Sequence, residues 1–586
     1  MSVKEVTIKI NGKTYTAPEG TTILEAARLN NIDIPTLCFL KEINEIGACR
    51  ICLTEVEGMN NLVTSCVYPI TEGMSIKTNS DRVFKSRKTN LELILSTHER
   101  KCLSCIRNGN CELQKLCKAF NVDDEDYYNG ENCEYEFDDS SVHMYRNNNK
   151  CILCRRCVAV CKKIQSVGVI GANDRGFNTH IGSAYEQDLG DVDCISCGQC
   201  IVVCPTGAIA EKDQTQEVWE ALQDPTKHVV VQTAPSVRVT LGEAFQLPVG
   251  TNVEGKMVAA LRRIGFDRVF DTNVAADFTI MEEATEFLQR VENNGPFPMF
   301  TSCSPGWVKY CEAYHPELIP NLSSCKSPQQ MFGALIKTWY AQKNNIDPED
   351  IFVVGIMPCT AKKFEVTREN QAAAGYTDVD IALTTRELAR MIEKVGIRFN
   401  ELPDETFDQP LGDATGAGYI FGATGGVMEA ALRTASETLA GHALEAVDFV
   451  EVRGTKGIKE ATYEMSGQTV KVAVASGINN AKRLIEQIEK GEAFYHFVEI
   501  MACPGGCVNG GGQPVQPGSV RNFVDLQSKR AQALYVEDKG KGLRRSHENP
   551  VLQKIYQEFL EKPGSHKAHH ILHTSFQNPN LNLIED

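Results

Sequence analysis

Apolar residues fall into distinct patterns along the chain. Residues 5–19 alternate apolar and polar around Asn11-Gly12, which predicts two short strands joined by a tight hairpin. Thr22-Ile23-Leu24-Glu25 has the spacing of a capping box that opens a helix. From about residue 225 the chain changes to ordinary α/β patterning. HVVVQTAP (228–235) and IFVVGIMPC (351–359) predict buried strands ending in loops, and TTRELARMIEKVG (384–396) predicts a helix with a threonine cap. The segment 121–143, NVDDEDYYNGENCEYEFDDSSVH, is acidic and polar and reads as a linker with solvated charge. No apolar run reaches the ~18 residues of a membrane span, so none is expected. The N-terminus lacks a secretory apolar region and a twin arginine, which points to the cytoplasm.

A chain of 586 residues is too long for one core, so several domains are expected. A net charge of −16 disfavours nucleic acid and anionic membrane surfaces as partners. The 23 cysteines change the picture more. In a reducing compartment they read as metal ligands rather than disulfides, and their spacing tests this.

Cys38, Cys49, Cys52 and Cys66 follow the predicted hairpin and helix as C-x10-C-x2-C-x13-C, with Gly47 in the loop between the first two. Four thiolates on loops beside a small sheet suit a [2Fe–2S] cluster. The order resembles plant-type ferredoxins, although the spacing is not theirs. His98, Cys102, Cys105 and Cys111 follow as H-x3-C-x2-C-x5-C. A neutral imidazole can replace one thiolate on a cubane. This set resembles the His/Cys3 [4Fe–4S] site of the large iron–sulfur subunit of respiratory complex I. Cys117 and Cys133 lie outside that pattern and stay unassigned.

Cys151, Cys154, Cys157 and Cys161 form C-x2-C-x2-C-x3-C, and Cys194, Cys197, Cys200 and Cys204 repeat it before Pro205. This is the bacterial two-cluster run, in which each fourth cysteine serves the other cluster. One cubane would take Cys151, Cys154, Cys157 and Cys204; the other would take Cys161, Cys194, Cys197 and Cys200. Four clusters in series form a wire, and something must sit at its end.

Three later motifs supply candidates: TSCSPGW (301–307), MPCTAKKFE (357–365) and EIMACPGGCVNGGGQP (499–514). Cys359, Cys503 and Cys507 are soft ligands in Gly/Pro-rich turns. Glycines 505, 506 and 510–512 would let backbone approach a bulky inorganic group, with Lys362 as a positive charge beside it. These motifs resemble the three signatures of iron-only ([FeFe]) hydrogenases, and the resemblance covers essentially the whole chain.

The resemblance implies an H-cluster: a [4Fe–4S] cubane joined through a cysteine sulfur to a two-iron site with CO, cyanide and an azadithiolate bridge. Cys507 would be the bridging cysteine, and Cys359 and Cys503 would hold the cubane. Lys362, Pro235 and Ser236 would hold the cyanides, and Met357, Met501 and Gln329 would pack around the two-iron site. The reaction implied is 2H⁺ + 2e⁻ ⇌ H₂, with a proton path through Cys303, Glu283, Ser323 and Glu286. Read without the resemblance, Glu282, Glu283 and Glu286 on the helix FTIMEEATEFLQRV would be a solvated face.

The sequence departs from the family at Ser304, where the signature has a second cysteine, TSCCP. Three readings are open: Ser304 ligates, Cys303 becomes the ligand, or Cys325 of SSCKSPQQ completes the cubane. The same TSCSP form is met in NAD-coupled members of the family.

The fold implied is α+β and multidomain. A β-grasp [2Fe–2S] ferredoxin-like domain spans 1–80, a His/Cys3 domain 81–120 and a linker 121–145. A two-[4Fe–4S] ferredoxin-like domain spans 146–215, and an α/β H-cluster domain with a C-terminal tail spans 216–586. The stretches GACRICLTEVEG and SCVYPITEGM resemble catalytic subunits of electron-bifurcating hydrogenases. That implies ferredoxin as partner, together with a flavin and NAD(H)-binding subunit and a small [2Fe–2S] subunit. GATGG (422–426) reads as a tight turn, not a nucleotide fingerprint. His566, His569, His570 and His573 form a tract of metal-binding type, read as a tail packed on the catalytic domain. The alternative functions are an electron-transfer subunit without catalysis and a hydrogen sensor.

Overall fold

The computed structural model describes residues 4–122, 133–443, 447–465 and 467–578. Glu5–Ile10 and Lys13–Pro18 pair antiparallel. Asn11 and Gly12 have φ of 52° and 82°, the positive values that a two-residue turn of this kind demands. Thr22 and Glu25 form the reciprocal capping box of helix Ile23–Leu29. Ser75–Lys77 joins the first strand in parallel, and Leu53–Val56 and Val63–Thr64 complete a five-stranded sheet. Val6, Ile8, Ile10, Ile23 and Leu24 are buried beneath it.

The second half of the predicted linker is not a linker. Phe137–Asp138 pairs with Met144–Asn147, which pairs with Ile209–Glu211, so 137–147 is part of the two-cubane module. Asp138 is turned inward, where it meets Arg146 at 2.9 Å and also accepts from the Leu189 N–H, while Glu134, Glu136 and Asp139 stay exposed. His143 is buried. Residues 123–132 of the predicted linker lie outside the described residues.

The region from residue 228 onward contains two four-stranded sheets. In the first, Arg268–Asp271, His228–Thr233, Ile351–Met357 and Ile381–Thr384 run parallel in that order. Their continuous apolar runs fit burial on both faces. Val229, Val231, Val354 and Ile356 face one core with helices Glu254–Ile264 and Thr385–Lys394. Val230, Ile351 and Val353 face another with Thr272–Glu292 and Pro328–Leu335. The second sheet orders Met299–Phe300, Phe497–Met501, Gln468–Ser476 and Ile458–Met465, with the last strand antiparallel.

The tail packs on the first sheet as expected. Leu552, Ile555, Leu560, Ile571 and Leu572 join the core of Val230 and Val353, each buried aliphatic contributing about 1.5–3 kcal/mol. The tail is also tied by backbone, because Lys326 N–H donates to Leu572 and Thr574 N–H donates to Ser324.

Candidate functional site

In open parallel sheets, ligands bind beyond the carboxyl ends of the strands. All three cysteine motifs sit there. Cys303 follows strand Met299–Phe300, Cys359 follows Ile351–Met357, Cys503 follows Phe497–Met501, and Pro235 follows His228–Thr233. They surround a cavity lined also by Ser304, Gln329, Met357, Lys362, Met501 and Cys507.

Gly506 and Gly510 line this cavity, and the glycines here have a second role besides the one expected. A Cβ on Gly510 would lie 2.2 Å from the Pro358 carbonyl oxygen, and one on Gly511 would lie 2.2 Å from that of Cys197. On Gly506, at φ 93°, it would lie 2.6 Å from the Thr424 nitrogen. These glycines let signature loops pack backbone to backbone, which fixes the cysteines relative to one another.

Burial raises the thiols of Cys359, Cys503 and Cys507 above the usual range; Lys362 and the N–H groups of Ala361 and Lys362 partly offset this at Cys359. Three buried thiols converging on an apolar cavity, with Lys362 beside them, suit a bound cationic cluster that makes thiolate the favoured form. Gln329 Oε1 is buried without a partner. Lys362 Nζ donates to Glu365 at 2.9 Å and to the Cys303 carbonyl at 3.4 Å. The Ser236 hydroxyl is committed to the Cys507 carbonyl, so it holds the loop that carries that cysteine.

Ser304 lines the cavity, and although it is the N-cap residue of helix Pro305–Tyr314 its side chain makes no capping hydrogen bond. Its Oγ accepts from the Ala502 N–H at 3.2 Å. Cys303 lines the same cavity on the side of Glu283, whose charge adds to burial in raising that thiol. Cys325 is not among the lining residues; it lies beside His573, 4.0 Å from Sγ to Nδ1.

The glutamates are not a solvated face. Helix Thr272–Glu292 is buried along most of its length, Glu282 and Glu283 included. Neither Glu283 oxygen has a hydrogen bond of ordinary geometry. Burial, with the neighbouring Glu286 charge, pushes this carboxyl up to about 8, and Ser323 and the Ser302 amide offset only part of that. Ser323 Oγ donates to Glu286 at 3.1 Å, and Arg290 holds the other Glu286 oxygen at 2.6 Å.

Upstream, the structure brings together each predicted set. Cys38 and Cys49 exchange amide-to-sulfur contacts of 3.4 and 3.5 Å, and Cys52 sits beside Cys66. Cys151, Cys154, Cys157 and Cys204 line one cavity, and Cys161, Cys194, Cys197 and Cys200 are mutual neighbours. His98, Cys102, Cys105 and Cys111 line another, together with Cys117. Cys133 instead meets Asn178. His143, read as linker, reaches Cys194 at 3.9 Å. No spacing signal marked it, because its place depends on the strand pairing.

The arrangement is a fork rather than a series. Asn44 Nδ2 donates to the carbonyls of both Cys38 and Cys154 at 2.9 Å, and Arg156 donates to those of Cys38 and Phe39. The His98 set abuts the same cubane by another face: Arg107 donates to the Cys204 carbonyl, and Cys111 Sγ to that of Pro205. Beyond the fork, Cys197 lines the cavity of Cys359, Cys503 and Cys507, and Gln199 donates to the Asn509 carbonyl at 2.8 Å.

GATGG is a turn whose donors are already taken. The Glu499 carboxylate accepts from the N–H groups of Gly425 and Met428, where a phosphate would otherwise sit. Among the described residues no helix is long and apolar enough to cross a membrane.

Comparison with known proteins gives consistent matches. Residues 227–511 match the family "Iron only hydrogenase large subunit, C-terminal domain", and 524–579 match "Iron hydrogenase small subunit". Residues 3–81 match a 2Fe-2S binding domain, 87–126 the "NADH-ubiquinone oxidoreductase-G iron-sulfur binding region", and 150–208 a 4Fe-4S dicluster domain. The chain is 49% identical to the NADP-reducing hydrogenase subunit HndD of Solidesulfovibrio fructosivorans, over 97% of this chain and 98% of that one. It is 47% identical to iron hydrogenase 1 of Clostridium pasteurianum, over 97% and 100%. A solved variant of the apo [FeFe]-hydrogenase HydA1 from Chlamydomonas reinhardtii is 42% identical, with a TM-score of 0.56, covering 63% of this chain and 99% of that one.

Proposed function

This chain belongs to the iron-only hydrogenases, as a catalytic subunit with iron–sulfur relay domains, and from that premise we propose how its own residues divide the work. The observation that carries the reading is the cavity where Cys359, Cys503 and Cys507 converge with Lys362, between a cubane-bearing loop at Cys197 and a buried carboxyl at Glu283. When bound there, the H-cluster supplies the iron chemistry of 2H⁺ + 2e⁻ ⇌ H₂. Cys359, Cys503 and Cys507 would hold it. Pro235, Met357 and Met501 shape the apolar wall, and Lys362 places a positive charge against its anionic ligands. Cys303 passes protons to Glu283, then Ser323 and Glu286. Cys151, Cys154, Cys157 and Cys204 would hold one cubane, against which the [2Fe–2S] and His/Cys3 sets pack, and Cys161, Cys194, Cys197 and Cys200 would hold another beside the cavity; when bound, these clusters would supply electron transfer to it.

Ser304 takes the cubane side and Cys303 the relay side. Cys303 is the member of the pair that feels Glu283, and Cys325 stands outside the cavity. Infrared spectroscopy of anaerobic, matured protein tests the whole reading: iron-bound CO and cyanide bands are expected, shifting under H₂. Their absence after verified maturation would leave the electron-transfer role. Ser304→Cys should slow chelator removal of cubane iron by about tenfold or more, through a fourth thiolate. Cys303→Ser should keep all the iron and lose turnover; loss of cubane iron in that variant would instead make Cys303 the ligand. Lys362→Met should weaken retention of the two-iron group by about 10–100-fold, the scale of an outer-sphere partner's loss, read from the same infrared bands.

The partners are ferredoxin and a separate flavin subunit that handles nicotinamide, possession of which by this chain is disfavoured by the occupied GATGG turn. The relative HndD is named as NADP-reducing, which supports nicotinamide coupling. The experiment is reconstitution: the chain alone should evolve H₂ from reduced ferredoxin but not from NADH or NADPH. Unaided nicotinamide oxidation would sink the partner requirement.

A further inference from the structure

The donors at the far end of the relay form a group of their own. Glu286, Cys325 and His573 each offer a ligand atom within 4.8 Å of the others. The His573 ring is placed as metal-binding imidazoles are placed, with one nitrogen held by a carboxylate and the other turned toward the site. Its Nε2 meets Glu282 at 3.0 Å, and Glu282 is itself fixed by the Tyr556 hydroxyl and the Gly564 N–H. That leaves Nδ1 facing Ser324 Oγ at 2.8 Å and Cys325. His569 stacks on His573 at 4.4 Å. The backbone holds the geometry, because Cys325 and His573 form an antiparallel bridge. Arg290 holds one Glu286 oxygen; the other faces the group and accepts from Ser323 Oγ, Ser324 N–H and Ser324 Oγ.

We propose that Glu286, Cys325 and His573 form a binding site for a divalent metal ion of the zinc class, and that an ion there closes the proton path. Imidazole, thiolate and carboxylate are the donor types zinc prefers, and three of them leave one position of a tetrahedron for water or Ser324. Binding displaces the Cys325 thiol proton to solvent: Zn²⁺ + RSH → RS–Zn⁺ + H⁺. It also takes the Glu286 oxygen that accepts from Ser323. The binding site stands on geometry alone, whereas the closure rests on the relay proposed above.

The test uses anaerobic holoenzyme and one equivalent of zinc, read by X-ray absorption at the zinc edge and by hydrogen turnover. Wild type should show one sulfur ligand at about 2.3 Å among nitrogen and oxygen. Cys325→Ala should lose that sulfur, and Glu282→Gln should bind about 10–100-fold more weakly by equilibrium dialysis. Saturating zinc should lower turnover at least tenfold in wild type and far less in Cys325→Ala. A zinc site without sulfur, or one unchanged in Cys325→Ala, overturns the proposed site. Zinc bound here with turnover unaffected overturns the closure and the relay reading, while the site stands.

Discussion

Glu283→Gln will lower hydrogen turnover by about 10²–10⁴-fold in both directions, the contribution of one positioned proton-transfer group. The cluster bands in the infrared will stay. The two side chains have nearly the same shape, so packing in the buried helix survives. What is lost is a carboxyl that can give and take a proton. Glu283 is suited to that role because it is uncommitted: both oxygens lack a hydrogen bond of ordinary geometry, an arrangement that costs about 1–3 kcal/mol and is kept here between Cys303 and Ser323. Held at about 8 by burial, it is protonated at neutral pH at little cost. Turnover within threefold of wild type, with intact bands, would remove Glu283 from the path.

Arg156→Met will loosen the [2Fe–2S] and His/Cys3 modules from the two-cubane module that carries Arg156. The Arg156 side chain is 1% exposed, and its guanidinium meets Glu112 at 2.7 Å as well as carbonyls of Cys38, Phe39 and Val203. Three modules therefore meet on one side chain. Removing one partner of a buried pair strands the other and costs about 3–5 kcal/mol. The expected result is an early thermal transition, with protease cleavage confined to the first 150 or so residues and the catalytic transition unmoved. Pairing it with Glu112→Leu should recover part of the loss, because the stranded charge goes too. A single unshifted transition would mean that the modules are held elsewhere.

The parts of this molecule legible in sequence are those set by short-range chemistry. Asn11-Gly12 demands its turn, Thr22 and Glu25 their cap, and C-x2-C-x2-C-x3-C its pair of cubane sites, because the determinants lie within a few residues. The strands at 228–233 and 351–357 were legible because burial on both faces leaves an unbroken apolar run. Misreadings came where long-range pairing changes what a charge means. Asp138 and His143 looked solvated until strand pairing brought Arg146 and Cys194 to them. Glu282 and Glu283 looked like an exposed face because nothing local reveals that the tail covers their helix. The fork was hidden for the same reason, as Asn44 and Arg156 tie together residues more than 100 positions apart.

The covalent tail changes the thermodynamics of assembly. Residues 524–579 match a family described as a small subunit, yet here they continue the chain that they pack against. Between separate chains, that packing would be a dissociation equilibrium set by concentration. Here the tether fixes an effective concentration, so dilution cannot strip His573 from Glu282 or uncover the helix that carries Glu283. Only local unfolding can, and its frequency is a property of the chain rather than of how much protein the cell makes.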